Sequence, residues 1–180
     1  MTTDESIAIV DYDSEWPAEY LRERSMISET LGDVALSIEH IGSTAVPGMP
    51  AKPIVDIQIG VRSFPTSEKR LQELTRLGYE PLGEAGVPER LYFRKRQPTQ
   101  FNVHVVIWKG EHWNNNIVLR DYLRLHSDEA LRYADSKRRA VIEGAGALLH
   151  YSQRKGPLIN NILERARRWA KAQGMYTTRD

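Results

Sequence analysis

The period of the apolar positions shifts along this chain and marks out its elements. Trp16, Tyr20, Met26, Ile27 and Leu31 recur at helical spacing behind Ser14 as N-cap and Pro17 in the first turn, and Gly32 ends the run. "VALSIEHIGS" then alternates, with Val34, Leu36, Ile38 and His40 on one face, which predicts a strand running into a Gly42–Ser43 turn. "PIVDIQIGV" predicts a second strand, with Ile54, Asp56 and Gln58 on one side and Val55, Ile57 and Ile59 on the other. "TSEKRLQELTRLG" reads as a helix with capping residues in front and Gly78 behind, and "RLYFRKR" and "QFNVHVVIW" as a hairpin around "QPT". Beyond Glu111, "HWNNNIVLRDYLRLHS", "DEALRYADSKRRAVIEGAG" and "YSQRKGPLINNILERARRWAKAQ" carry apolar residues at three- and four-residue spacings and predict helices.

The pattern implies an α+β half over about residues 7–110 and a helical half over about 111–173. No repeat or low-complexity linker divides them, so one compact domain over residues 1–180 is expected. Composition changes this picture little. Apolar residues make up 41% and charged residues 27%, values of an ordinary globular protein. A net charge of +1 gives no field that points to nucleic acid or an anionic membrane as partner. The absence of cysteine removes disulfides, thiolate metal sites and thiol nucleophiles. The acidic start "MTTDESIAIVDYDSEW" does not read as a signal peptide, and no run approaches the roughly 18–20 apolar residues of a membrane span. A soluble, cytoplasmic protein is the expectation.

Chemistry concentrates in "IEHIGSTAVPGMPAKPIVDIQIGV", where a strand bound for the core keeps an acid, Asp56, and an amide, Gln58, on the same face. Glycine lets backbone N–H groups approach a phosphate oxygen, and a neighbouring hydroxyl adds a donor. An Asp-x-Asp pair on a following strand would hold divalent metal beside that phosphate. The plain alternative is that Asp56 satisfies backbone amides of the turn. Hydrolase elbows, zinc-protease helices, Walker loops and dinucleotide fingerprints are absent from the sequence.

"EHIGSTAVPGMPAKPIVDIQIGV", followed in order by "GVPERLYFRK", "FNVHVV", "LRDYLRLH" and "YSQRKGPLI", closely resembles the GrpB-like family, over nearly the whole chain from Ile7 to Arg168. The resemblance implies a nucleotidyltransferase-like mixed β-sheet flanked by helices, with a C-terminal helical part. It places Gly42 and Ser43 at the phosphate-contacting Gly-Ser, Asp56 at the first metal-binding acid, Gln58 at the second acid, and His104 near a third carboxylate. With Asp56, Gln58 and His104 as the ligand set, the expected cofactor is a single Mg²⁺ or none. Asp56 and His104 are the catalytic candidates. Thr44 and Lys52 join Gly42 and Ser43 as substrate contacts, Lys52 meeting a phosphate as a point charge. Arg94 of "YFRK" is chosen as a further contact over Arg90, and Lys155, placed ahead of the last helix, as one that reaches back to an anion at the sheet edge. His40 and His104 also read as core histidines, and Arg120–Asp121 as an ion pair. The implied function is transfer of a nucleoside monophosphate from a nucleoside triphosphate to a small acceptor. A nucleotide- or anion-binding module without transfer chemistry, and a small-molecule ligase or transferase of a biosynthetic pathway, are the alternatives.

Overall fold

Pro17 suits the start of helix α1 (Trp16–Leu31), since its ring supplies a helical φ and the first turn has no acceptor for the missing N–H. Glu15 is the cap, one residue later than the serine expected: Asp13 Oδ1 accepts the Glu15 N–H at 2.9 Å. The buried stripe is also not the one expected. Met26 is exposed, and Glu23 is buried with Trp16, Ile27 and Leu31. A glutamate is tolerated there because Lys95 reaches it from the sheet at 2.9 and 3.1 Å and the Tyr79 hydroxyl donates to it at 2.9 Å. The structure is a computed structural model that describes residues 8–64, 68–143 and 148–175, and of residues 68, 143 and 148–158 the backbone alone.

Strands β1 (Ser37–Ile41), β2 (Val55–Val61), β3 (Glu80–Pro81), β4 (Leu91–Lys95) and β5 (Phe101–Ile107) form a sheet of order β1-β2-β5-β4-β3. The β2–β5 pair is parallel and the other pairs are antiparallel. The β4–β5 hairpin is the one the alternation predicts. The first strand is shorter than expected, because Gly32–Val34 forms a 3₁₀ turn before it. The expected helix after β2 is α2 (Glu68–Gln72) continued by a 3₁₀ turn, Glu73–Leu77, which Gly78 ends in the left-handed conformation. Its expected caps, Thr66 and Ser67, lie outside the described residues.

Pleating sorts the side chains. Val55, Ile57, Ile59 and Val61 join Phe93, Phe101, Val103 and Val105 in the core beneath α1. Asp56, Gln58 and Gly60 share the other face with Asn102, His104 and Val106. That second face is covered in part by helix α3 (Glu111–Leu125), through Trp113 and Ile117 against Ile41 and Val106. Gly60 permits the approach: a Cβ there would stand 2.9 Å from the side chains of Trp108 and Trp113. Helices α4 (Ser127–Glu143) and α5 (Leu148–Ala172) complete the helical half by packing Ala130, Tyr133 and Ala134 with Ile162, Ala166 and Ala170. Val46 and Met49, from the β1–β2 connection, enter that cluster and tie the helices to the loop. Because α5 begins at Leu148, Lys155 lies inside the helix and not ahead of it. Among the described residues, no helix is long and apolar enough to cross a membrane.

Candidate functional site

The open end of the second sheet face is built around Asp56. Parallel pairing sets Asp56 beside Asn102 and Gln58 beside His104. Asn102 Nδ2 donates to Asp56 Oδ1 at 2.8 Å, and His104 Nε2 lies 3.6 Å from the same oxygen. Asn102 is itself oriented by the Tyr92 hydroxyl, which donates to its Oδ1 at 2.8 Å, and by Arg96 Nη1 at 3.2 Å. Burial pushes the Asp56 carboxyl up, but His104, the Asn102 hydrogen bond and the Lys52 charge outweigh it and hold the group at about 2. Asp56 is therefore an anion at any physiological pH, and its side chain keeps 29% of its surface exposed.

The Gly42–Ser43 turn closes directly over this carboxylate. Gly42 adopts φ 72°, and a Cβ at that position would stand 2.6 Å from Asp56 Oδ2, so both the backbone conformation and the space require glycine. Ser43 follows in a 3₁₀ turn, and its Oγ accepts from Lys137 Nζ of α4 at 2.7 Å. That ammonium is buried, also faces the Pro50 carbonyl at 3.4 Å, and lies 4.6 Å from the centre of the Tyr133 ring. Thr44 turns inward, its Oγ1 2.9 Å from His40 Nε2. His40 stacks on Tyr20 across the opposite sheet face; burial, helped by the nearby Arg124 and Arg120 and opposed by Asp56, lowers it to about 4.

Two recesses meet at Asp56. The smaller, of about 140 Å³, is lined by Ser43, Thr44, Lys52, Asn102 and Lys137. The larger, a cleft of about 520 Å³, runs from Gly42 and Ser43 past His104 to Arg90, His112 and α3. Gln58 does not open into either recess. It is fully buried, with Nε2 donating to the Trp113 carbonyl at 3.3 Å and Oε1 accepting from Asn116 Nδ2 at 2.5 Å. Among the described residues, no group of three or more His, Asp or Glu side chains is arranged to hold a metal ion. With the Gln58 oxygen committed to Asn116, this corner fits one oxygen-ligated cation on Asp56 and does not fit a pair.

The GrpB protein family model matches residues 6–165. The chain belongs to the GrpB family. The crystal structure of conserved protein GrpB from Enterococcus faecalis is similar to it, with a TM-score of 0.80 and 28% identity, over 88% of this chain and 96% of that one. The UPF0157 protein YqkA of Bacillus subtilis is 32% identical over 168 residues, 93% of this chain and 49% of that protein. A dephospho-CoA kinase of Mycolicibacterium paratuberculosis is 28% identical over 196 residues, 93% of this chain and 48% of that protein. The chain thus spans about half the length of these last two relatives. The α+β, nucleotidyltransferase-like mixed sheet with a helical C-terminal part is the GrpB architecture here.

On this GrpB fold the residues singled out from the sequence separate. Gly42, Ser43, Lys52, Asp56 and His104 come together around the two recesses. Thr44 joins them as a wall whose hydroxyl serves His40. Gln58 ties the sheet to α3. Arg94 shares the site face but donates from Nε to Glu80 Oε2 at 2.6 Å on β3, and Arg90 lines the cleft instead. The side chain of Lys155 lies outside the described residues. Sequence reasoning missed Lys137, Tyr133, Asn102 and Asn116. A signal for Lys137 existed: it lies four residues after Tyr133 and seven after Ala130, on the buried stripe of α4. Arg120 was read as an ion-pair residue and is one, to Asp121 at 2.8 Å and Glu39 at 2.7 Å, yet it also lines the cleft.

Proposed function

We propose that this chain is a transferase of the nucleotidyltransferase type, which binds a nucleoside triphosphate at Asp56 and passes its nucleoside monophosphate to a small acceptor. The observation that carries the reading is the Gly42–Ser43 turn closed over an ionised Asp56, with Lys137 on the serine hydroxyl and Lys52 beside it. Backbone N–H groups of such a turn and paired ammonium groups suit a polyphosphate. The relative named as a dephospho-CoA kinase supports a nucleotide-handling setting.

In this reading the acceptor occupies the larger cleft. Its hydroxyl or amine attacks the α-phosphorus, a new bond to phosphorus forms, the bond to the β-phosphate oxygen breaks and pyrophosphate leaves. His104 takes the proton released by the nucleophile, and Asp56, 3.6 Å away, stabilises the resulting imidazolium. Lys52 and Lys137 offset charge on the departing pyrophosphate. Asp56 would hold a single Mg²⁺, which would supply charge neutralisation at the phosphates. The committed state of Gln58 favours a second reading, a nucleotide- or anion-binding module without transfer.

The test is a thermal-shift titration of ATP, GTP, CTP and UTP, with and without Mg²⁺, on the wild type and Asp56→Asn, followed by a pyrophosphate-release assay with mixed acceptors. A ligand that binds only the folded state raises Tm by mass action. The expected result is a shift with at least one triphosphate and pyrophosphate release that Asp56→Asn abolishes. Binding without release supports the second reading. Turnover that survives Asp56→Asn overturns the site assignment.

A further inference from the structure

Arg90 differs from Arg120 and Arg94 on this face. Arg120 pairs with Glu39 and Asp121, and Arg94 with Glu80. Among the described residues no carboxylate pairs with Arg90, although it is half-buried and lines the cleft. Its Nη2 donates to the Glu84 and Ala85 carbonyls at 3.0 and 3.1 Å, and among the described residues its buried Nε has no partner. Glu84, the acid of the same loop, is turned to the Glu89 N–H at 3.0 Å. Burial lowers the guanidinium from its ordinary value. A desolvated cation held without a counter-charge costs stability, which a ligand anion would recover.

The surroundings fix this guanidinium in place. It sits 5.1 Å from the centre of the Tyr92 ring, whose hydroxyl reaches Asn102, which in turn reaches Asp56. The loop that carries it holds Ala85 at φ 46° and Glu89 at φ 58°, left-handed conformations that a non-glycine residue adopts only at a cost. His112 Nε2 meets the Pro88 carbonyl at 3.0 Å and pins the loop to the first turn of α3. This is the arrangement of a preorganised anion receptor, lying in the larger cleft and apart from the smaller recess lined by Lys52 and Lys137.

We propose that Arg90 recognises the acceptor, and that the acceptor is a small hydroxy or amino acid. Its carboxylate pairs with Arg90 while its hydroxyl or amine points toward His104 and Asp56. The direction of the hydroxyl or amine rests on the transferase reading, and the carboxylate contact on the geometry of Arg90 alone. A carboxylate is favoured over a phosphate because one uncompensated guanidinium matches a single negative charge in planar, two-point geometry, and the neighbouring Asn115, Asn116 and His112 add polar groups and no formal cation in their neutral state.

The test compares wild type, Arg90→Met and Arg90→Lys by thermal shift against lactate, serine and glutamate, each beside its methyl ester, with ATP and Mg²⁺ as a separate arm. The expected result is a Tm rise of more than about 2 °C with at least one free acid and none with its ester. Arg90→Met should lose that rise, corresponding to at least about tenfold weaker binding, and keep the wild-type response to ATP. Arg90→Lys, which preserves the charge, should retain a weakened response. Methionine preserves the stem over Tyr92 and removes the unbalanced charge, so Arg90→Met should melt no lower than wild type. Equal binding of esters and acids, no response to any free acid, or loss of the ATP response in Arg90→Met would each overturn the assignment, the last by giving Arg90 to the nucleotide. Failure of ATP alone in all three proteins would count against the transferase reading and leave the carboxylate receptor standing.

Discussion

At the scale of the residue, two titratable groups on opposite faces of the sheet are held in states that burial alone would not give both. Asp56 is kept ionised against desolvation by His104, Asn102 and Lys52, whereas His40 is kept neutral mainly by desolvation. Their effects on stability fall in different pH windows. The folded His40 value of about 4 lies below the ordinary histidine value of 6.5, so between these the unfolded chain binds more protons. Stability is therefore lost as pH falls from 6.5 toward about 4. Asp56, at about 2 against an ordinary 3.8, contributes stability that is present above the ordinary value and lost only as pH falls through that lower range. Urea midpoints measured at pH 7.5 and 5 should show the wild type losing on the order of 2 kcal/mol. His40→Gln should flatten that slope while Asp56→Asn leaves it in place; an unchanged slope in His40→Gln would remove His40 as its cause.

At the scale of the element, polar ties carry the assembly of sheet and helices where apolar packing is interrupted. Gln58 joins β2 to α3 through Asn116 and the Trp113 carbonyl, and Arg120 joins α3 to β1 through Glu39 and the His40 carbonyl. On the other face, Lys95 and Glu23 join β4 to α1. Each tie explains a departure from the simple pattern: an amide in a core strand, a glutamate in a buried helical stripe. Asn116→Ala would leave the buried Gln58 oxygen without its donor, at a cost of about 1–3 kcal/mol in chemical denaturation. The double variant Gln58→Leu with Asn116→Ala should recover part of that loss, because an apolar pair of similar bulk leaves no unsatisfied group. A cost in Asn116→Ala below about 0.5 kcal/mol would show that the tie does not hold the helix.

At the scale of the whole molecule, the helical half supplies part of the candidate site. Lys137 and Tyr133 come from α4, and the loop they meet, Ser43 to Pro50, inserts Val46 and Met49 among the helices. The same packing that buries these apolar residues therefore brings an ammonium to the Ser43 hydroxyl. On the proposed reading, Lys137→Met, which keeps much of the side-chain volume, should weaken triphosphate binding about tenfold or more. Calorimetric titration with ATP would measure it, and an unchanged affinity would exclude Lys137 from the phosphate site.

Periodicity alone determined the β4–β5 hairpin, the position of β2, the helical second half, and the placement of Asp56 on the face away from the Val55–Ile57–Ile59 core. These follow from the two- and 3.6-residue repeats, which are local properties of the chain. The Gly-Ser turn and Asp56 were legible through the resemblance of their segment to the GrpB-like family, and their short spacing limits how they can meet. Tertiary structure decided what distant residues do to one another. Gln58 becomes a bridge because α3 arrives over it, 58 residues later in the chain through Asn116. Glu23 is buried because Lys95 lies across from it, Lys137 joins the site because α4 crosses the β1–β2 loop, and Arg94 yields the cleft to Arg90 because β3 offers it Glu80. The physical reason is common to all of these: a polar side chain takes its role from the partner that satisfies it, and that partner is chosen by packing over long sequence distances.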